Sequence, residues 1–178
     1  MLRRRSNVHF TISPAACVLA AMLVLILPLK WILAAIFSAA FHEFCHALAV
    51  YLCGGKVLEL SIGNRGAVMH AEGMSAGRML VCVLTGPLGS LFLVLFVRWI
   101  PRIAFCALIH AAYNLLPIYP LDGGRALRYI LADKPCRIIE IIFLGVIWAL
   151  AIYLSVFQHL GLFPLIFSFT LWQSKNRP

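Results

Sequence analysis

The sequence predicts an all-α membrane protein with about six transmembrane helices. Of its 178 residues, 63% are hydrophobic and 12% are charged, against roughly 45–50% and about 25% in soluble domains. A transmembrane helix needs about 20 mainly apolar residues, so six would take about 120 residues of the chain. The composition therefore excludes a soluble globular enzyme. The length predicts one integral-membrane domain over residues 1–178.

Six apolar runs supply the candidate helices, and the second to fifth are separated by polar or proline-rich segments. The fourth is short and ends in a proline-rich stretch. For the first, a retained helix is favoured over a signal peptide because no small-x-small cleavage pattern follows it. The runs are Ser13 to Leu29, Trp31 to Cys53, Met79 to Val97, Ile103 to Leu116, Ile138 to Phe157 and Leu160 to Trp172.

A polar insert, Gly54 to Gly77, separates the second and third runs. Two partly alternating stretches, Lys56 to Ile62 and Ala67 to Glu72, flank the segment Gly63-Asn64-Arg65-Gly66. Alternation around an Asn/Gly turn is typical of a β-hairpin. We therefore expect a small β-hairpin-like insert, with a mobile loop as the alternative.

The positive charges predict how the helices are oriented. A net charge of +9 is also found in proteins that bind nucleic acid. In so apolar a chain, however, the side of the bilayer on which the cations lie is the more informative property. With the N-terminus inside, only Lys30, Arg98 and Arg102 lie outside. Both termini are therefore predicted to be cytoplasmic, and no nucleic-acid partner is expected. The inner cations are Arg3, Arg4, Arg5, Lys56, Arg65, Arg78, Arg125, Arg128, Lys134, Arg137, Lys175 and Arg177.

The second run contains an H-E-x-x-H pattern, formed by His42, Glu43 and His46. On an α-helix, residues four apart lie on one face about 6 Å apart along the axis, so both imidazoles can reach one metal ion. A catalytic zinc site has three protein ligands and leaves a fourth position for water, and Glu43 is placed to act as a base on that water. Ionisable residues inside a membrane helix point to function. A polar contact between helices is the alternative.

A third ligand has to come from outside this helix, and acidic residues are few. Glu140 lies three residues after Arg137, so an ion pair along the helix accounts for it. Asp122 follows Pro117 and Pro120, which break the helix before a small-residue turn. An ordinary turn is the alternative role for this Asp-Gly-Gly segment. Beside an H-E-x-x-H helix that lacks a third ligand, Asp122 is the residue we predict.

Two motifs together resemble those of a known family. The segment from His42 to His46, combined with Asn114-Leu-Leu-Pro-Ile-Tyr-Pro-Leu-Asp122-Gly, resembles the paired signature of the site-2 proteases, which are intramembrane zinc metalloproteases. The second segment matches N-x-x-P-x-x-P-L-D-G throughout. The short layout with a polar insert is similar to the bacterial branch that includes stage IV sporulation protein FB. No PDZ or C-terminal nucleotide-sensing domain is expected.

The resemblance implies a role for each residue of the two motifs. It implies that zinc is held by His42, His46 and Asp122, that Glu43 is the catalytic base, and that Asn114 helps to bind the substrate backbone. The sequence departs from the family at two positions. Ser90 stands where the G-P-x-x-N element of the family usually has Asn, and Cys45 stands where Gly is more frequent.

The expected function is therefore intramembrane zinc endopeptidase activity on a membrane-embedded or membrane-bound protein substrate. A regulatory membrane protein is a candidate partner, and the expected location is the bacterial cell membrane. A second enzyme hypothesis is a membrane zinc peptidase acting on soluble or unfolded segments. The hypothesis from another class is a metal transporter, or a noncatalytic binder of membrane proteins, that uses the same polar residues.

Overall fold

The computed structural model describes residues 27–63, 66–158, 161 and 163–176. Within these residues the chain forms six helices and two strands, which fall into two compact units divided between Asn114 and Leu115. The elements are α1 (Leu29–Leu52), β1 (Lys56–Gly63), β2 (Gly66–Glu72), α2 (Ala76–Val94), α3 (Pro101–Asn114), α4 (Asp122–Ile130), α5 (Asp133–Val156) and α6 (Phe163–Asn176).

Three of the described helices are long and apolar enough to cross a membrane: α1, α2 and α5. They contain 24, 19 and 24 residues, which at 1.5 Å per residue correspond to about 36, 28 and 36 Å, against about 30 Å of hydrocarbon in a bilayer. The chain is an integral membrane protein.

The count of six spans stays a prediction. The first predicted run, Ser13 to Leu29, lies outside the described residues except for its last three positions. The fourth and sixth runs form α3 and α6, which have 14 residues each. Each is about 21 Å long, shorter than the hydrocarbon layer.

Helix α1 carries its polar residues inward and large apolar residues outward. Ser38, His42 and His46, spaced four residues apart, are buried, whereas Phe37 and Phe44 are exposed. A soluble helix would show the opposite pattern, because water favours polar residues on the outer face. The arrangement suits a helix whose outer face meets lipid and whose inner face carries ionisable groups.

In the first unit, α1 packs against α2 and α3, and α2 also packs against α3. Alanines supply much of this contact: Ala104, Ala107 and Ala111 of α3 are almost fully buried. Small residues allow membrane helices to approach closely, which is the usual way such helices associate. The close packing of three helices brings side chains of α1 and α2 into direct hydrogen-bonding contact.

The polar insert of the first unit forms two antiparallel strands, β1 and β2. Lys56 lies opposite Glu72 and Gly63 lies opposite Gly66, with an irregularity in register between Val57 and Glu59. Residues 64–65, where the Asn/Gly turn was expected, lie outside the described residues.

The second unit contains a helix that the sequence analysis did not predict. The Asp-Gly-Gly segment, expected to be a turn, is the first turn of the nine-residue helix α4. Asp122 at its first position suits the positive end of the helix dipole. Helix α5 packs against both α4 and α6.

The predicted ion pair between Arg137 and Glu140 is wrong. Glu140 is buried and its carboxylate binds Arg128 of α4, at 3.1 Å, whereas Arg137 is exposed. The pairing differs because the carboxylate of α5 points to α4, where a guanidinium is available, rather than along its own helix.

Candidate metal centre

The side chains of His42 and His46 bring one ring nitrogen of each residue close together. The Nε2 atoms of the two rings lie 3.1 Å apart. Both side chains are buried, with 1% and 9% of their surfaces exposed. Two imidazole nitrogens at about 2.0–2.1 Å from one tetrahedral zinc ion would lie about 3.3 Å apart. The separation observed therefore fits two ligands of a single metal ion.

The other ring nitrogen of His46 is held by the backbone of α2. Its Nδ1 lies 2.8 Å from the carbonyl oxygen of Cys82. A carbonyl oxygen can only accept, so Nδ1 carries a proton and donates it, and in the neutral imidazole Nε2 then keeps its lone pair. Histidines that bind metals are commonly oriented in this way through their second nitrogen. The contact prepares Nε2 of His46 as a ligand.

The second ring nitrogen of His42 is held by Ser90, also on α2. Nδ1 of His42 lies 3.0 Å from Oγ of Ser90, and Ser90 is fully buried. A hydroxyl both donates and accepts, so Ser90 can accept from Nδ1–H when Nε2 is needed as a ligand. The residue that departs from the family pattern is thus a direct partner of His42.

Both contacts come from one face of α2. Cys82, Gly86 and Ser90 of α2 are spaced four residues apart, as are His42 and His46 of α1. Residues at this spacing lie on one face of a helix in successive turns, so successive turns of α2 supply the partners for successive turns of α1. The role of Ser90 was missed by the sequence analysis, although this matched spacing is a signal for it. The contact with the Cys82 carbonyl was missed because every residue has a backbone carbonyl, so the residue type does not indicate this contact.

Two glycines of α2 make room for side chains of α1. A Cβ at Gly86 would collide with the ring of His46, and one at Gly89 would collide with Sγ of Cys45. Gly86 is therefore needed for the position of the His46 ring. Gly89 accommodates Cys45, so the bulkier residue at this position of the motif has a matching gap.

Glu43, His110 and Asn114 lie in the same unit. Glu43 follows His42 directly on α1 and is half-buried. The His110 ring of α3 packs edge to face against the His42 ring, with centroids 4.5 Å apart. Nδ2 of Asn114 donates to the carbonyl oxygen of His110 at 3.0 Å. This bond ties the Asn114 amide to the last turn of α3.

Asp122 belongs to the second unit and opens α4. Its side chain is buried, with 6% of the residue exposed, and one carboxylate oxygen lies 3.8 Å from Nη1 of Arg125. Gly123 and Gly124 follow it, and a Cβ on either would collide with the backbone of the preceding loop, at Leu115 and at Ile118 respectively. The two glycines of the motif therefore let the loop fold against the start of α4.

Replacing Ser90 by alanine is expected to weaken metal binding by about 10–100-fold, which is the usual cost of removing the partner of a metal-binding histidine. Competition with a chromogenic chelator measures the affinity. The matched control is Ser155→Ala, since the Ser155 hydroxyl has no hydrogen-bond partner among the described residues. Equal affinities in the two variants would contradict the role given to Ser90.

Comparison with known proteins gives the family. A model of the Peptidase M50B-like family matches residues 15–174. The structure is similar to that of the Site-2 Protease from Methanocaldococcus jannaschii, at a TM-score of 0.67 and 18% identity, covering 100% of this chain and 94% of that one. At this identity the likeness shows a shared fold. No curated protein matches the chain. The family match spans nearly the whole chain, and it confirms the resemblance seen in the motifs: the chain belongs to the Peptidase M50B-like family, the site-2 protease family of membrane metalloproteases.

Proposed function

We propose that the protein is an intramembrane zinc metalloendopeptidase, which hydrolyses a peptide bond within or next to a membrane span of a protein substrate. One observation carries the proposal. On a helix long enough to cross the membrane, His42 and His46 direct their Nε2 atoms to one point while α2 holds both Nδ1 atoms. Such an arrangement prepares two neutral imidazoles as ligands.

The proposed ligand set is His42, His46 and Asp122. All three are buried side chains of types that hold metal ions. Two nitrogens and one carboxylate oxygen form a donor set that zinc accepts, with a fourth position left for reaction. Bound zinc supplies Lewis-acid chemistry, which makes water nucleophilic near neutral pH and polarises the scissile carbonyl.

Glu43 has the role of proton carrier. As the residue after the first ligand, it stands beside the metal position without occupying a ligand position. Its carboxylate takes a proton from the attacking water and returns it to the nitrogen of the leaving amine.

Asn114 is the proposed contact for the substrate backbone. An amide side chain has two N–H donors and one carbonyl acceptor, which suits the paired donor and acceptor of a peptide group. One donor is used on the His110 carbonyl, and this bond fixes the direction of the amide.

We further propose that the protein lies in a bacterial cell membrane with both termini in the cytoplasm. The distribution of cations along the sequence supports this orientation. His46 lies seven residues before Cys53, the predicted inner end of its span, so the metal ligand would be roughly 10 Å below the cytoplasmic boundary. The substrate would therefore be cut in the cytoplasmic half of its span.

Chelation of the purified protein tests this function. The chain in detergent is incubated with a single-span reporter protein tagged at both ends. Cleavage is expected to stop with a chelator and to return with one equivalent of zinc but not of magnesium, since nitrogen ligands favour zinc. Mass spectrometry of the products should place the cut in the cytoplasmic half of the span. Cleavage that persists without metal, or cuts at the outer boundary, would contradict the proposal.

A further inference from the structure

Glu140 is a buried acid that the proposed chemistry does not use. It lies in α5, a helix apolar enough to span the membrane, and only 1% of its surface is exposed. An ionisable group inside such a helix is costly and points to a specific task. Its Oε1 accepts two hydrogen bonds, from Nη2 of Arg128 at 3.1 Å and from the backbone N–H of Tyr119 at 3.2 Å.

The two donors lie on opposite sides of Asp122 in the chain. Tyr119 belongs to the loop that leads into Asp122, and Arg128 belongs to α4, which leads away from it. One carboxylate oxygen of Glu140 thus binds a residue on each side of Asp122, the proposed metal ligand. The Arg128 guanidinium also lies over the Tyr119 ring, 4.1 Å from its centroid, so the two flanks contact each other directly.

The segment between these flanks has little freedom to move by itself. The backbone N–H of Leu121 donates to the carbonyl oxygen of Ile118 at 2.9 Å, and Ile118 is fully buried. The start of α4 approaches this loop so closely that Gly124 has no space for a Cβ beside Ile118 and Tyr119. Movement of Tyr119 or Arg128 would therefore move Asp122 with it.

We propose that Glu140 and Arg128 are positioning residues for Asp122, which they hold in place as a metal ligand. The inference rests on the proposed function, because it assumes that Asp122 binds zinc. A need for a positive charge beside Glu140 does not by itself explain why Arg128 is its partner. Arg137 lies one turn away on the same helix and carries the same charge, yet it is exposed. The carboxylate instead binds an arginine and a backbone amide that flank the ligand. Groups that orient metal ligands commonly set metal affinity.

The test compares two matched substitutions, Arg128→Gln and Arg137→Gln, in the full chain. Zinc affinity is measured by chelator competition and cleavage of the reporter at limiting and at saturating zinc. Arg128→Gln is expected to weaken zinc binding by about 10–100-fold and to regain much of its cleavage rate at saturating zinc, with an unchanged KM. Arg137→Gln is expected to behave as the wild type. A purely structural role for Arg128 would lower activity at all zinc concentrations and leave zinc affinity unchanged.

Glu140→Gln serves as the second variant. It keeps an acceptor for the Tyr119 N–H and removes the charge that binds Arg128, so it should weaken zinc binding in the same direction. It decides the outcome if Arg128→Gln does not fold. Zinc affinity in both variants equal to that of Arg137→Gln would overturn the positioning role alone. A wild-type chain that binds no zinc would instead overturn the proposed function.

Discussion

Replacement of Gly86 by alanine is expected to weaken metal binding and cleavage together, although it adds a single methyl group. In the middle of a helix, alanine is intrinsically more favourable than glycine by about 1 kcal/mol, which offsets part of the cost of a Cβ directly before Pro87. The new Cβ would collide with the His46 ring. The ring must then turn away from Cys82, or α1 and α2 must separate. Misplacement of a reacting group by about 1 Å can cost 10²-fold, so we expect a loss of about that size or more.

Gly77→Ala is the matched control for this substitution. Gly77 lies on the same helix, and a Cβ there would meet nothing within 4 Å. Zinc content and the initial rate of reporter cleavage are measured for both variants, with size-exclusion profiles to compare folding. We expect wild-type values for Gly77→Ala. Normal zinc content in Gly86→Ala would show that zinc binding does not require the His46 ring to lie against Gly86.

Replacement of Glu43 by glutamine is expected to remove turnover and leave the metal in place. Glutamine has nearly the same shape, but it cannot take a proton from water near neutral pH. Loss of a general acid–base group typically costs about 10²–10⁴-fold in rate. His42 and His46 keep their contacts with α2, so the ligands remain prepared. The initial rate of reporter cleavage at saturating substrate measures the effect.

The control for Glu43→Gln is Asp133→Asn, another replacement of an acid by its amide. Asp133 is exposed in the first turn of α5, and the variant should cleave at the wild-type rate. A metal transporter built on the same histidines could retain its activity with glutamine at position 43. Loss of turnover in Glu43→Gln therefore also separates a peptidase from a transporter.

The metal-binding helix could be predicted from the sequence because local rules decide it. The spacing of His42 and His46 fixes their common face, and the apolar composition fixes the membrane setting. The family was likewise evident from the motif that ends in Asp122. In each case, neighbouring residues in the chain are also neighbours in the structure or repeat with the period of a helix.

Interactions between distant segments could not be predicted in this way. The carbonyl of Cys82 is a backbone group, so no residue type signals its contact with His46. Two arginines, Arg128 and Arg137, precede Glu140 in the sequence. The rule that residues three or four apart on a helix form ion pairs favours Arg137 as the partner of Glu140. Its actual partner, Arg128, is set by how α4 packs against α5.

The helix α4 was missed for a related reason. Its sequence begins Asp-Gly-Gly, and glycines are poor helix formers and typical of turns. The structure shows that these glycines are required by the close approach of the preceding loop, at Leu115 and Ile118. A tertiary contact therefore outweighs the local preference for a turn.

The zinc content of wild type and Glu43→Gln, measured on the same detergent preparations whose cleavage rates are determined, tests most directly whether the protein is a zinc peptidase with Glu43 as its base. We expect about one zinc ion per chain in both proteins and cleavage by the wild type alone. Equal cleavage by both proteins, or the absence of stoichiometric metal from both, would contradict it.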